Sequence, residues 1–530
     1  MKVQRMATSF DLAERGFCPV RWRAGQRPET FSPEASLGLV DLLLHAHRIE
    51  DVEISPPPAL SGFLRILAVL TGRITGLDRM ESFEDWEEAR EDLLHAGRFD
   101  ETAIRRYFDE FSGRFELFHT ATARPFLQDA RLLEQCRDPQ GDQVSSGVNK
   151  LVLNRAAGQA FVWQSHTVDA DPSPAPVAEA VWSLLTWLYY GPPGCCTARQ
   201  VGKTRAGDTK VGPLRGTVSY HPVGKSLFHT LVLGLPYVPR HEHDAAPWEE
   251  EPRDPLSVPP PVQGLARKLT GRFRHAVLLT PSESGDTVVD ARITWAWREE
   301  HAPVEDPYVM HRVPTNGGAP IPESASAARA VWRDLDALLG RTEQRRRPEV
   351  LAHLDELAVD EGVFTAIRAL GFDQDRSKVK DRQYFSGITP PVLEAWQARD
   401  PRRWAQLREA REAAEKTAWR LQEALSGLWQ KLKPSKTTNG KARDRGVPWL
   451  HKAMTTYWQS AERCFWEAVR ADEASVPVRN RMIEVALRTY DATTADLMRQ
   501  PKQVKAVEEH RRGLWWGWRS EAKANGEEDG

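Results

Sequence analysis

The sequence predicts an α+β protein, a large mixed α/β N-terminal domain over residues 1–385 followed by a C-terminal four-helix bundle over 386–530. Three observations carry that expectation. The 530 residues exceed what one hydrophobic core usually spans. In the N-terminal part short β-like runs alternate with amphipathic helical stretches. From Ala327 onward the apolar spacing becomes almost entirely helical.

Near the N-terminus Phe17 to Trp22 reads as a strand, and Leu60, Leu64, Leu67 and Leu70 recur at helical spacing. The Pro-rich and acidic stretch PRHEHDAAPWEEEPRDPLSVPPPVQG, from Pro239, can continue neither element and reads as a surface loop or crossover. AVLLTP from Ala276 and TVVDARITWAW from Thr287 are β-like, and the Pro/Gly loop VPTNGGAPIPES follows them. After Pro401, the residues Trp404, Leu407, Ala414, Ala418, Leu421, Leu425 and Leu428 form one stripe. Leu450, Met454, Tyr457, Ala461, Phe465 and Ala468 form a second. A third helix is expected behind Ser475 and Pro477, as cap and first-turn residue, with Val478, Met482, Val485 and Tyr490 inward. The segment ending Leu514 to Trp518 completes the bundle.

Composition narrows the function classes. The chain is 41% hydrophobic and 28% charged, ordinary for a folded soluble protein. No apolar run approaches the length of a membrane span, and the first residues lack the apolar core of a secretion signal, which points to the cytoplasm. Five cysteines without C-x-x-C spacing propose neither a disulfide framework nor a zinc ribbon. With a formal charge of -2, any nucleic-acid surface must be local.

No catalytic motif is complete. GPPGCCTARQVGKT ends like a phosphate-binding loop at Gly202, Lys203 and Thr204, but Thr197 stands where its first glycine belongs. His241, Glu242, His243 and Asp244 could form a metal site or dyad, yet they lie in the acidic Pro-rich loop without a matching ligand pair, so a solvated loop is expected. No nucleophile elbow, zincin or dinucleotide fingerprint can be placed. Neither a metal nor a cofactor is expected.

Four polar segments fit nucleic acid better. In SSGVNKLVLNRAAGQAFVWQ, Asn149, Lys150, Asn154 and Arg155 sit among small residues that permit close approach; an ordinary polar loop is the competing reading. In ARQVGKTRAGDTKVGPLRG, the cations Arg199, Lys203, Arg205, Lys210 and Arg215 are punctuated by glycines, against the alternative of a solvated basic loop. GFDQDRSKVKDRQYF places Gln374, Asp375 and Arg376 on a turn between helical stretches, followed by Lys378, Lys380 and Arg382; such a tip could wedge into a duplex or be an exposed helix start. KLKPSKTTNGKARDRG, with Lys436, Lys441 and Arg443, links two bundle helices and could follow a phosphate backbone.

The order of these features resembles the CasA family, the large subunit of the type I-E CRISPR Cascade complex. FDLAERGFCPVRW is similar to that family's opening, RPFLQ (Arg124 to Gln128) to its P-F-[LM]-Q signature, and G-P-L-R-G, L-G-L-P and G-F-D-Q-D follow in the family's order nearly end to end. The resemblance implies a non-catalytic DNA-binding subunit of an antiviral defence complex, without cofactor. Its partners would be the other Cascade subunits, the guide crRNA, target double-stranded DNA and the helicase-nuclease it recruits. It would check the protospacer-adjacent motif (PAM) from the minor groove and promote R-loop formation. Asn154 would sit near the guide end, Gly207 and Asp208 in the glycine loop against the groove, and Gln374, Asp375 and Arg376 in the wedge. Lys203, Arg205, Lys210, Arg215, Lys378, Lys436, Lys441 and Arg443 would be phosphate contacts, with Arg292 near the family's basic finger. RAGDTKVG carries fewer glycines than the family's loop, and the wedge glutamine aligns at either 374 or 376. The competing readings are a nucleic-acid-processing enzyme and a structural adaptor docking through Trp458, Trp466, Trp515 and Trp516.

Overall fold

The structure is a computed structural model. It describes residues 9–158, 168–315, 317–326, 329–338, 345–352, 354, 363–373, 383–389, 401–432, 447–470 and 477–524, with backbone alone at 401–404, 470, 502 and 516–524. The chain forms two compact units: Met1–Ala327 with Ala337–Leu393, and Ala328–Asp336 with Glu394–Gly530.

The first unit opens with a small antiparallel sheet of order β2-β1-β3, made of β1 (Cys18–Trp22), β2 (Ser36–Leu37) and β3 (Ile49–Val52), with α1 (Leu39–Leu44) between the last two. Its central element is α2 (Pro57–Thr75), buried almost all round. Prolines at its start supply a fixed φ where no intrahelical donor is needed, and Gly76 at φ 77 closes its C-terminus. Even Arg65 is enclosed in α2: its Nη2 donates to Asp306 at 2.8 Å and its Nη1 to the Ser61 carbonyl at 3.0 Å. A Cβ at Gly62 would lie 2.5 Å from the Tyr189 ring, so glycine sets how closely α2 meets α7 (Val177–Tyr190).

Between those two helices lie α3 (Phe83–Ala96), capped by Ser82, α4 (Glu101–Glu110), capped by Asp100, the short turns α5 (Leu132–Gln135) and α6 (Val148–Leu151), and β4 (Ala175–Pro176). The hairpin of β5 (Gly194–Val201) and β6 (Thr204–Thr209) follows α7; then come β7 (Val218–Gly224), α8 (Leu227–Leu233) and α9 (Leu265–Thr270). The two β-like runs read from the sequence are β8 (His275–Pro281) and β9 (Thr287–Trp295), a hairpin extended by β4. A minor sheet joins β10 (His311–Arg312), β11 (Ile321–Pro322) and β12 (Arg345–Arg346); α10 (Leu335–Leu338) precedes the last.

The wedge segment is flanked by strands, not helices: β13 (Phe364–Asp373) pairs antiparallel with β14 (Gln383–Ile388) on one side and β7 on the other. As a central strand covered on both faces, β13 shows a mostly apolar run, broken at Thr365 and Arg368, in place of alternation, and FTAIRALGF passes for a buried helix. The strands continue past residue 385, and the first unit runs to Leu393.

The second unit contains α11 (Pro401–Leu432), α12 (Leu450–Arg470), α13 (Val478–Thr494) and α14 (Pro501–Ala524). Leu407, Ala414, Ala418, Leu421, Leu425 and Leu428 are buried in α11, as are Val478, Met482, Val485 and Tyr490 in α13, where Pro477 occupies the cap position. The Trp404 side chain and Ser475 lie outside the described residues. Unexpectedly, the segment Ala328–Asp336 belongs to this unit. Trp332 is buried and stacks on Phe465, ring centroids 4.6 Å apart, while Arg333 lies 3.6 Å from the Trp458 ring and forks onto Glu415 at 2.7 and 3.0 Å. Among the described residues no helix is long and apolar enough to cross a membrane.

Candidate nucleic-acid interface

Two of the polar segments singled out in the sequence, far apart along the chain, line one open cleft of about 740 Å³. One wall is the stretch from Val144 to Gly158, including Asn149, Lys150 and Arg155; the other runs from Pro192 along β5 and includes Arg205 of β6. Ser146 ties the walls together. Its hydroxyl lies 2.6 Å from Thr197 Oγ1 and accepts from the Ile293 amide at 3.0 Å. Trp187 Nε1 donates to the Leu151 carbonyl at 2.8 Å, fixing α6 on α7.

The glycine-containing segment is a β-hairpin. Gly202 and Lys203 form its two-residue turn, with Gly202 at φ 56, and Thr204 begins β6. A phosphate-binding loop runs instead into a helix N-terminus, so the G-K-T resemblance does not extend to three dimensions. The register pairs Cys195 with Asp208 and Arg199 with Ala206, leaving Cys196–Ala198 as a bulge opposite Gly207. Asp208 is exposed, and its side chain and carbonyl each lie 3.4 Å from Arg298 Nη1. Lys203 is exposed at the tip, Arg205 donates to the Arg137 carbonyl at 3.1 Å, and Lys210 pairs loosely with Glu300 at 3.5 Å. Asn154 is exposed beside the cleft residues Leu153 and Arg155. Arg155 itself is committed to Glu179 at 2.8 Å.

The hairpin rests on the end of β9. Trp295 Nε1 donates to the Ala206 carbonyl at 3.1 Å, and the guanidinium groups of Arg199 and Arg298 lie over the Trp295 ring, 5.0 and 5.3 Å from its centroid. Arg199 is 0% exposed and donates to Asp129 at 2.7 Å, Gln135 at 2.8 Å and the Trp295 carbonyl at 3.0 Å. Burial would raise the Asp129 pKa, but Arg131 and Arg199 hold the carboxyl below its usual value. Arg199 is thus a buried anchor, unlike the solvated cation its sequence context implies. The WAWR ending of the β-like run was the available signal for Trp295 and Arg298, an aromatic and a cation spaced to face one neighbour.

Two residues expected as phosphate contacts are buried. Arg215 is 2% exposed and donates to the Tyr190 carbonyl at 3.3 Å. Arg292 is 6% exposed, and its Nη2 donates to Gln143 at 3.0 Å. In this conformation neither guanidinium reaches the surface, because each satisfies polar groups inside its own unit. Gln374, Asp375, Arg376, Lys378, Lys380 and Arg382, together with Lys436, Lys441 and Arg443, lie outside the described residues.

The acidic Pro-rich loop is pinned, not merely solvated. Asp244 accepts from the backbone amides of Ala266 at 3.1 Å and Arg267 at 2.8 Å, capping α9, and pairs with Arg73 at 3.1 Å. Arg73 also holds Glu249 at 2.9 Å, and the buried Trp248 donates to the Tyr107 hydroxyl at 2.8 Å. Among the described residues no three His, Cys, Asp or Glu side chains gather as metal ligands. The RPFLQ signature is likewise structural: Gln128 Nε2 donates to the Leu117 carbonyl at 2.7 Å and its Oε1 accepts from the Leu279 amide at 2.8 Å.

Comparison with known proteins places this architecture. The family profile described as "CRISPR-associated protein Cse1" matches residues 11–500. The CRISPR-associated protein CasA/Cse1 of Thermus thermophilus is 29% identical over 505 residues, covering 89% of this chain and 91% of that one. A chain of a solved CRISPR RNA-guided surveillance complex is 42% identical, with a TM-score of 0.83 over 96% of this chain and 99% of that one. A Cse1 from Acidimicrobium ferrooxidans, at 22% identity, shares the fold with a TM-score of 0.72 over 97% and 99% of the two chains.

Proposed function

Because this chain belongs to the Cse1 (CasA) family, we propose that it is the large, non-catalytic subunit of a type I-E Cascade surveillance complex in the cytoplasm. There it recognises the PAM of target double-stranded DNA, promotes duplex opening and R-loop formation beside the guide crRNA, and recruits the helicase-nuclease. The single observation that carries this reading is the shared cleft, in which the Asn154 stretch and the glycine hairpin meet on a rigid support. A hairpin bearing the half-buried Gly207 and the exposed Asp208 suits a minor groove, where base patterns are degenerate and backbone proximity matters more than bidentate readout. Sequence specificity then comes from guide pairing. The near-neutral net charge of -2 is compatible with this role if other subunits supply most of the positive channel. Gln374, Asp375 and Arg376, on the connection between β13 and β14, are assigned as the wedge.

The test is target-duplex affinity of the assembled complex, with this chain, without it, and with Gln374, Asp375 and Arg376 all changed to Ala, on matched and altered adjacent motifs. Loss of binding without the chain, and selective loss of strand opening or motif discrimination in the triple variant, are expected. Unchanged binding without the chain would sink the assignment.

A further inference from the structure

The cleft contains one polar atom that the protein leaves unused. Asn149 is 2% exposed and lines the cleft; its Nδ2 donates to Asp169 Oδ1 at 3.1 Å, while its Oδ1 has no hydrogen-bond partner among the described residues. The carboxylate can only accept, so it fixes the amide orientation and leaves Asn149 presenting an acceptor. A buried acceptor without a donor costs free energy that a ligand N–H recovers.

The surrounding charges specify the rest of the ligand. Lys150 Nζ donates to the Cys195 carbonyl at 3.2 Å and Arg205 to the Arg137 carbonyl at 3.1 Å; neither has a carboxylate partner among the described residues. The two acids of the cleft are already occupied. Asp169 accepts from Asn149 and from the Gly158 amide at 2.6 Å, and Asp138 from the amides of Gln140 at 3.0 Å and Asp142 at 2.8 Å. A cleft of about 740 Å³ with an inner acceptor and two cations fits a ligand with an N–H edge at one end and an anion at the other.

We propose that this cleft holds one unpaired nucleotide, its base donating an N–H to Asn149 Oδ1 and its phosphate held by Lys150 and Arg205. The inference rests on the nucleic-acid reading above for its ligand class, and it adds a requirement. Every nucleobase has an N–H donor on its Watson–Crick edge, so the site accepts any base, but only one whose edge is not consumed by pairing. The strand could be guide RNA or displaced DNA, which share this chemistry.

The protein carries its own probe. Cys195 lines the cleft and is exposed, whereas Cys18, Cys136 and Cys464 are buried. Alkylation of Cys195 in the full chain by iodoacetamide, followed by mass spectrometry, would be measured with short single-stranded RNA, single-stranded DNA and a DNA duplex. Single strands should slow alkylation severalfold and the duplex, which reaches the hairpin but not Asn149, should slow it less; protection by RNA alone assigns the guide, by DNA alone the displaced strand. Lys150→Ala with Arg205→Ala, both away from the core, should raise the strand concentration for half-protection about tenfold or more. Asn149→Ala should raise it about tenfold while the cations remain. Absence of protection by any single strand, equal protection by the duplex, or half-protection unchanged in the Lys150/Arg205 variant would each overturn the proposal. If the assembled complex still needs this chain for duplex binding, that failure leaves the broader assignment standing.

Discussion

Replacing Gly207 with valine sets the demands of folding against those of the proposed contact. The backbone there lies outside the left-handed region, and a Cβ would sit 3.5 Å from the Cys196 carbonyl oxygen and 3.7 Å from Ala198, ordinary van der Waals distances. Valine suits a strand, and losing glycine's freedom in the unfolded chain stabilises by about 0.5 kcal/mol. The isolated variant should therefore unfold at or slightly above the wild-type temperature. If the β6 edge contacts a groove through its backbone, the new side chain holds it away. Loss of two hydrogen bonds at about 1 kcal/mol each corresponds to about thirtyfold weaker duplex binding. The assay is a titration of matched duplex with the assembled complex at fixed salt, beside thermal unfolding of the chain alone. Wild-type affinity in a normally folded variant would refute the placement of this edge against DNA, and a large drop in unfolding temperature would refute the packing argument.

Three further outcomes follow from the fold. Arg199→Ala should destabilise the first unit by about 3 kcal/mol, the lower end for a broken buried pair because Asp129 keeps Arg131, and should loosen the hairpin; urea unfolding and hydrogen exchange of β5 and β6 would read both. Trp332→Ala, which empties the site against Phe465, should cost the second unit about 3 to 5 kcal/mol, seen as faster hydrogen exchange in α11 and α12. Acid should weaken the first unit before its carboxylates titrate. Burial pushes His229, His275 and His301 down to about 4, opposed at His275 by its bond to the Pro192 carbonyl. Because the unfolded chain takes up those protons near the ordinary value of 6.5, stability is full above it and falls as pH drops toward 4. At about pH 5.5 each histidine contributes a loss of roughly 1 kcal/mol, measurable by urea unfolding, and His275→Phe should flatten the slope.

The bundle was legible because helical stripes such as Leu407 to Leu428 and Val478 to Tyr490 report one buried face each. The β13 and β14 hairpin was not, since a strand covered on both sides loses its alternation. Cation type alone could not separate Lys203 and Arg205, which are exposed, from Arg199, Arg215 and Arg292, which serve the interior. That difference depends on acceptors such as Asp129, Tyr190 and Gln143, distant in sequence. The same holds for Asn149, a polar loop residue by pattern, whose burial follows from the packing of α6 against β9 and α7.

The strap that carries Trp332 also imposes an order in time. It leaves the ribosome before any bundle helix exists, so its indole must wait, unhoused, until α12 has been made and folded against α11. A bundle expressed by itself from residue 386 would lack this plug and present Phe465 to water. The second unit is therefore a module that evolution or an engineer cannot move with a single cut.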